Sequence, residues 1–162
     1  MKKFVIFIFI AILILIIIIL INDHTLNDQY LLSNKIIEFI DNNADKNNTC
    51  TLLMTEVTDF KWDKMLMYQI GSTNQKISEA LGINYNKSVD MYSGIIFVYE
   101  GKIVYEETKL YNPDKIDELT FYVGQIFNSP EYKVYTPNDA YFKCNKNISG
   151  GDYYYEISPL NN

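Results

Sequence analysis

Two carboxylates, Asp59 and Asp63, flank the run Phe60-Lys61-Trp62. Carboxylates that close together in a turn could ligate a divalent cation or serve as an acid/base pair. The run lacks the dense succession of oxygen donors that a calcium loop uses, and turn-forming Asp with a strand-end role explains both residues equally well. His24 is the only histidine. A Ser-His-Asp or Cys-His arrangement has no other imidazole base to draw on, and a histidine-based metal centre lacks ligands. Glu106-Glu107 and Asp117-Glu118 read as solvated charges, the second pair on a helix. Ser149-Gly150-Gly151-Asp152 is no phosphate loop, because no Gly-Lys-Ser/Thr and no helix follow it. The sequence therefore points to no catalytic residue, no metal ligand set and no cofactor.

Binding chemistry is better represented. Trp62 is the sole tryptophan, and its large area suits either a core or an interface anchor. Phe60 and Trp62 share one side of an extended stretch. Tyr153-Tyr154-Tyr155 follows a glycine pair, and an exposed tyrosine strip beside a flexible loop suits protein or glycan contact. The chain holds 14 tyrosines and tyrosine is a good strand former, so ordinary sheet structure accounts for the strip as well. Trp62, Asp59, Asp63, Tyr153, Tyr154 and Tyr155 are the candidate binding residues.

Cys50 and Cys144 are the only cysteines. Outside the cytoplasm an even count favours a disulfide. A Cys50–Cys144 bridge would close a loop of about 95 residues and contribute about 4–5 kcal/mol in the chain-entropy model. Two free thiols are the alternative. Redox catalysis would call for a Cys-x-x-Cys pair, which is absent.

The segment that sets the address is Phe4 to Ile21, eighteen residues with no charged or polar side chain and no glycine or proline. It suffices to cross a bilayer as a helix. Lys2 and Lys3 precede it, and Asp23 and Asp28 follow, which keeps the amino terminus cytoplasmic and the bulk of the chain outside. A cleaved signal peptide is the rival reading, but its apolar region would be shorter and followed by small residues. No cysteine lies just beyond the run to carry a lipid.

Residues 23–162 have the size of one domain. With Lys2 and Lys3 set aside, 14 basic and 20 acidic residues become 12 and 20, a net charge of −8. Every basic residue is lysine. An acidic, arginine-free surface is a poor nucleic-acid binder, and its field favours cationic partners.

The elements that must position these residues follow from periodicity. Leu26 to Asp41 has the spacing of an amphipathic helix, and 41–49 is a polar loop. Cys50 to Val57 and Lys64 to Ile70 read as strands. A short helix starts at Ser72, with Gln75 at capping-box spacing, and stops at Gly82. Met91 to Glu106 is a hairpin turning at Glu100-Gly101, with a first arm apolar on both faces and hence central to its sheet. Asn112-Pro113 opens a further helix, carried by Ile116, Leu119, Val123, Ile126 and Phe127. Strands at Tyr132–Tyr135, Ala140–Cys144 and Tyr153–Ser158 complete the chain. The predicted fold is α+β: an N-terminal transmembrane helix, then one domain with a mainly antiparallel sheet and about three helices. The predicted division is an anchor at 1–22, a helix and polar loop at 23–49, and an extracytoplasmic domain at 50–162.

The run from Asp59 to Tyr68, followed by Ile77 and Leu81-Gly82, resembles that of small extracytoplasmic membrane-anchored proteins and lipoproteins of low-GC Gram-positive bacteria. Those proteins carry an Asp-Phe-x-Trp-Asp-Lys run before a strand and a short helix ending in Leu-Gly. The hairpin over Phe97 to Val104 fits them too. The likeness covers roughly residues 50–110 and departs from the lipoproteins in lacking the lipid-bearing cysteine. It implies an envelope address and a compact domain, and carries no activity with it.

Together these readings predict a non-catalytic binding protein at the cell membrane, single-pass through residues 4–21 with its C-terminal domain outside. Its partner would be a protein or envelope component, a cationic one being favoured by the acidic surface, and not a nucleic acid. A sharper form is an inhibitor or immunity-type protein that captures a basic enzyme. The alternatives are an envelope enzyme or accessory subunit working through carboxylates, and a structural subunit of a membrane complex.

Overall fold

The computed structural model describes residues 31–114, 117–124 and 131–160. Helix α1 (Leu32–Asn43) leads into β1 (Thr49–Leu53) and a short 3-10 turn, Met54–Glu56. Strand β2 (Lys64–Tyr68), helix α2 (Asn74–Leu81) and the long hairpin β3 (Tyr92–Tyr99) and β4 (Lys102–Leu110) follow. Strands β5 (Leu119–Phe121), β6 (Tyr132–Tyr135), β7 (Tyr141–Ser149) and β8 (Asp152–Pro159) complete it.

The strands divide between two four-stranded sheets, ordered β1-β7-β8-β5 and β4-β3-β2-β6. This corrects the expected single sheet with about three helices: the described residues are mostly sheet and hold two α-helices. The third expected helix fails at its centre. Leu119–Phe121 is a strand parallel to β8, bracketed by Tyr155 N–H to Glu118 O at 2.7 Å and Tyr122 N–H to Ile157 O at 2.8 Å. Leu-Thr-Phe suits a pleated surface, and the open edge of β8 satisfies its backbone, which outweighs the helical spacing of Leu119 and Val123. Asn112 accepts from the Asp114 amide at 3.0 Å in a local turn. Residues 115–116 and 125–130 lie outside the described residues, as do His24 and the span expected at 4–21. Among the described residues no helix is long and apolar enough to cross a membrane.

The inner faces of both sheets meet in one core. Leu52, Phe142, Cys144 and Ile157 come from the first sheet, and Met65, Met67, Ile95, Phe97 and Tyr135 from the second. Helix α1 adds Leu32, Ile36 and Ile40, all essentially inaccessible to solvent. Each such side chain contributes about 1.5–3 kcal/mol, so α1 belongs to this core. The outer face of the second sheet packs Leu66, Tyr68, Ile96 and Val98 under Ile77 and Leu81 of α2, with Tyr85 and Val89 beyond it. Strands β2 and β3 are therefore buried on both faces.

Two local readings change in detail. Thr73, not Ser72, caps α2, its hydroxyl accepting from the Lys76 amide at 3.3 Å. The Ser72 hydroxyl is buried and donates to the Glu131 carbonyl at 2.9 Å. The β3–β4 turn places Glu100 at φ 50 and Gly101 at φ 73, the mirror-image turn that matches strand twist.

Gly94 of β3 faces Tyr68 of β2 in register. A Cβ there would stand 2.6 Å from the Glu107 carbonyl and 2.9 Å from the Tyr68 hydroxyl. Gly94→Ala is expected to cost about 1–3 kcal/mol by overpacking, read as a lowered denaturant midpoint at unchanged slope. An unchanged midpoint would mean that the β4 backbone at Glu107 and the Tyr68 ring both give way without cost.

Candidate functional site

The residues singled out in the sequence fall into three places. The first is the Asp59–Asp63 turn. Trp62 is 6% exposed, packs edge-on against Phe97 with ring centroids 5.2 Å apart, and donates from Nε1 to the Thr58 hydroxyl at 3.1 Å. Phe60 stacks on Tyr105 at 5.2 Å and meets Phe97 edge-on. The aromatic pair of this run thus faces one way, into the core, and Trp62 is not presented to a partner.

The two carboxylates of the turn are engaged separately. Asp59 pairs with Lys35 of α1 at 3.0 Å. The Lys35 hydrogen bond, a backbone hydrogen bond and the Lys35 charge hold its carboxyl below the usual range, against a small desolvation effect. Asp63 accepts the Glu100 amide at 2.7 Å and so fastens the hairpin turn. No group of three His, Cys, Asp or Glu side chains among the described residues is arranged to hold a metal ion.

The second place is the seat of α1. No side chain of its own caps its N-terminus. The Leu32 amide donates to the Tyr105 hydroxyl at 2.7 Å and the Ser33 amide to Glu107 Oε2 at 3.2 Å, while Tyr105 donates to that same oxygen at 2.7 Å. A carboxylate from β4 thus meets the positive end of the helix. At the other end, Asp41 pairs with Lys146 Nζ at 2.7 Å and accepts from the Tyr155 hydroxyl at 2.8 Å. Tyr155 is 4% exposed and serves this joint.

The third place is a cleft of about 760 Å³, lined by Lys109 at the end of β4, Asp114 and Glu118 of the following loop, and Ser149 and Asp152 to Tyr155 of the β7–β8 hairpin. Its size is that of a ligand or peptide site. Tyr153 is 54% exposed, with Lys146 Nζ 4.2 Å from its ring centroid. Tyr154 follows on the alternate face of the strand. Lys109 pairs with Asp117 at 3.1 Å, tying the loop to β4. Among the described residues none of Asp114, Glu118 and Asp152 is in an ion pair. The cleft therefore combines tyrosine surface, with Lys109 at its edge, and three carboxylates that pair with no described cation. Sequence reasoning named its tyrosines but missed the carboxylates and Lys109, which come from separate stretches. The one local signal was Asp152, beside the glycine pair and the tyrosines.

Comparisons with protein-family models, curated proteins and solved structures return no match.

The α1 seat has a pH signature. Burial alone would raise the Asp41 carboxyl, but hydrogen bonds from Lys146 and Tyr155 and the Lys146 charge outweigh it and hold the carboxyl below the ordinary aspartate value of 3.8. A depressed folded-state value gives stability that is present above 3.8 and lost as pH falls through the folded value. Because the carboxylate is largely solvated, Asp41→Asn is expected to cost less than about 1 kcal/mol at pH 7. The difference from the unsubstituted protein should close in acid unfolding titrations below pH 3.8; a constant difference would refute the pairing as its cause.

Proposed function

We propose that this chain is a membrane-anchored, extracytoplasmic binding protein without catalytic activity, and that its partner is a basic segment of another protein. The observation that carries the reading is the open cleft with three carboxylates, Asp114, Glu118 and Asp152, that form no ion pair among the described residues, edged by Tyr153 and Tyr154. Lysine ammonium groups find Coulombic partners there, and the tyrosine faces accept cations or cover their aliphatic stems. A domain of net charge −8 outside its anchor steers such a partner toward the cleft. The address rests on the apolar run at residues 4–21 and on the resemblance to extracytoplasmic proteins of low-GC Gram-positive bacteria. An inhibitor or immunity-type role, occupying a basic enzyme at the cell surface, is the specific form of this reading. The carboxylates on which the enzyme reading rests, Asp59 and Asp63, are committed to Lys35 and the hairpin turn.

The test is binding of the full chain in detergent micelles to a basic protein, with a lysozyme as probe, at low and high salt. Exposed charge pairs are screened over about 8 Å at physiological ionic strength, so affinity should fall steeply with salt. Asp114→Asn, Glu118→Gln and Asp152→Asn combined should weaken low-salt binding by at least about ten-fold, mainly through association rate. Binding indifferent to salt, or unchanged in the triple variant, would exclude the cleft as the seat.

A further inference from the structure

Cys50 of β1 and Cys144 of β7 are directly opposed in the antiparallel register. Both are free thiols. The Met54 amide donates to the Ala140 carbonyl and the Lys146 amide to the Asn48 carbonyl, at 3.0 and 2.9 Å. Those two pairs lie on the same register as Cys50 and Cys144, and each is an even number of residues away. Hydrogen-bonded and non-hydrogen-bonded pairs alternate along an antiparallel ladder, so Cys50 and Cys144 form a hydrogen-bonded pair.

That parity has a chemical consequence. Opposed Cα atoms in such a pair stand about 5.5 Å apart, within disulfide range. Their Cβ atoms lie toward the far end of the about 4.5–5.5 Å cross-strand range, whereas a relaxed disulfide holds them near 3.8 Å. Bridging is therefore reachable, but it pulls the side chains together by about 1.5 Å against the ladder, and a bridge strained in this way is more easily reduced.

We propose that Cys50 and Cys144 are a reversible dithiol–disulfide couple rather than a permanent structural staple. Cys50 is the attacking group. It is half-buried on β1, an edge strand, while Cys144 is buried in the core. Burial raises both thiols, and their mutual contact partly offsets this at Cys50 and adds to it at Cys144. With a small-molecule disulfide as oxidant, the Cys50 thiolate forms a mixed disulfide and releases one thiolate. Cys144 then gives up its proton and attacks the Cys50 sulfur, releasing the second. Two protein thiols and one oxidant disulfide become one protein disulfide and two small thiols.

The full chain in detergent micelles is equilibrated with glutathione buffers of varied oxidised-to-reduced ratio, quenched with an alkylating agent and weighed intact. The expected result is an intramolecular disulfide whose fraction follows the ratio and vanishes in excess reduced glutathione. Cys144→Ser should accumulate glutathione on Cys50, and Cys50→Ser should leave Cys144 unmodified. Moving the pair by one residue, with Cys50→Ser, Cys144→Ser, Thr51→Cys and Lys143→Cys, gives a non-hydrogen-bonded pair. That bridge should need at least a ten-fold more reducing buffer to open. No intramolecular disulfide at any ratio overturns the proposal. So does a Cys50–Cys144 bridge that resists excess reduced glutathione, or one as hard to open as the relocated bridge.

Discussion

The seating of α1 on the core that the two sheets share is the constraint on which the rest of the structure depends. The sheets meet through side chains, and α1 supplies Leu32, Ile36 and Ile40 to the core they share. Polar contacts then fix the helix at both ends. Tyr105 and Glu107 of the second sheet receive its first amides, and Lys146 and Tyr155 of the first sheet hold Asp41 near its last turn. Because these contacts reach one sheet at each end, the helix acts as a crossbar. The aromatic run around Trp62 works in the same region, with Phe60 laid on Tyr105 and both rings against Phe97. A segment that reads as a candidate binding turn is thus the packing that keeps the helix seat in shape.

What could be read in advance was whatever depended on neighbours in sequence. The β3–β4 hairpin declares itself by alternation and by Glu100-Gly101, and its first arm was legible as a central strand because both faces are apolar. Strand β6 and the stop of α2 at Gly82 are equally local. The division of the strands into two sheets was not legible, since pairing β1 with β7 or β5 with β8 is decided by partners far along the chain. Residues 112–127 show the cost of reading period alone. Leu119 and Val123 keep helical spacing, yet the unfilled edge of β8 offers Leu119–Phe121 a ladder, and tertiary pairing overrode the pattern. The candidate cleft was half legible for the same reason. Its tyrosines are contiguous, whereas Asp114, Glu118 and Asp152 become neighbours only when the end of β4 and the β7–β8 hairpin come together. Within the strip the strand's period of two puts Tyr153 and Tyr155 on one face, and distance from the β7–β8 turn separates their roles, Tyr155 lying in the core joint and Tyr153, beside the turn, in the open.

The charge distribution follows a related division of labour. Carboxylates that the fold needs are met by a donor: Asp41 by Lys146 and Tyr155, Asp59 by Lys35, Asp63 by the Glu100 amide, Glu107 by the start of α1. Among the described residues, Asp114, Glu118 and Asp152 of the cleft are in no ion pair. An acidic protein made without arginine has few bidentate donors to spare, and its lysines go first to the joints.

The seating of α1 also determines how the domain carries mechanical load. Any tension on the segment before residue 31 enters at the first turn of this helix. To move it, the pull must drag three buried aliphatic side chains out of the shared core and part the contacts to Tyr105, Glu107 and Lys146. The resistance of the helix to such a pull is that of the two-sheet core, and the helix yields when that core opens.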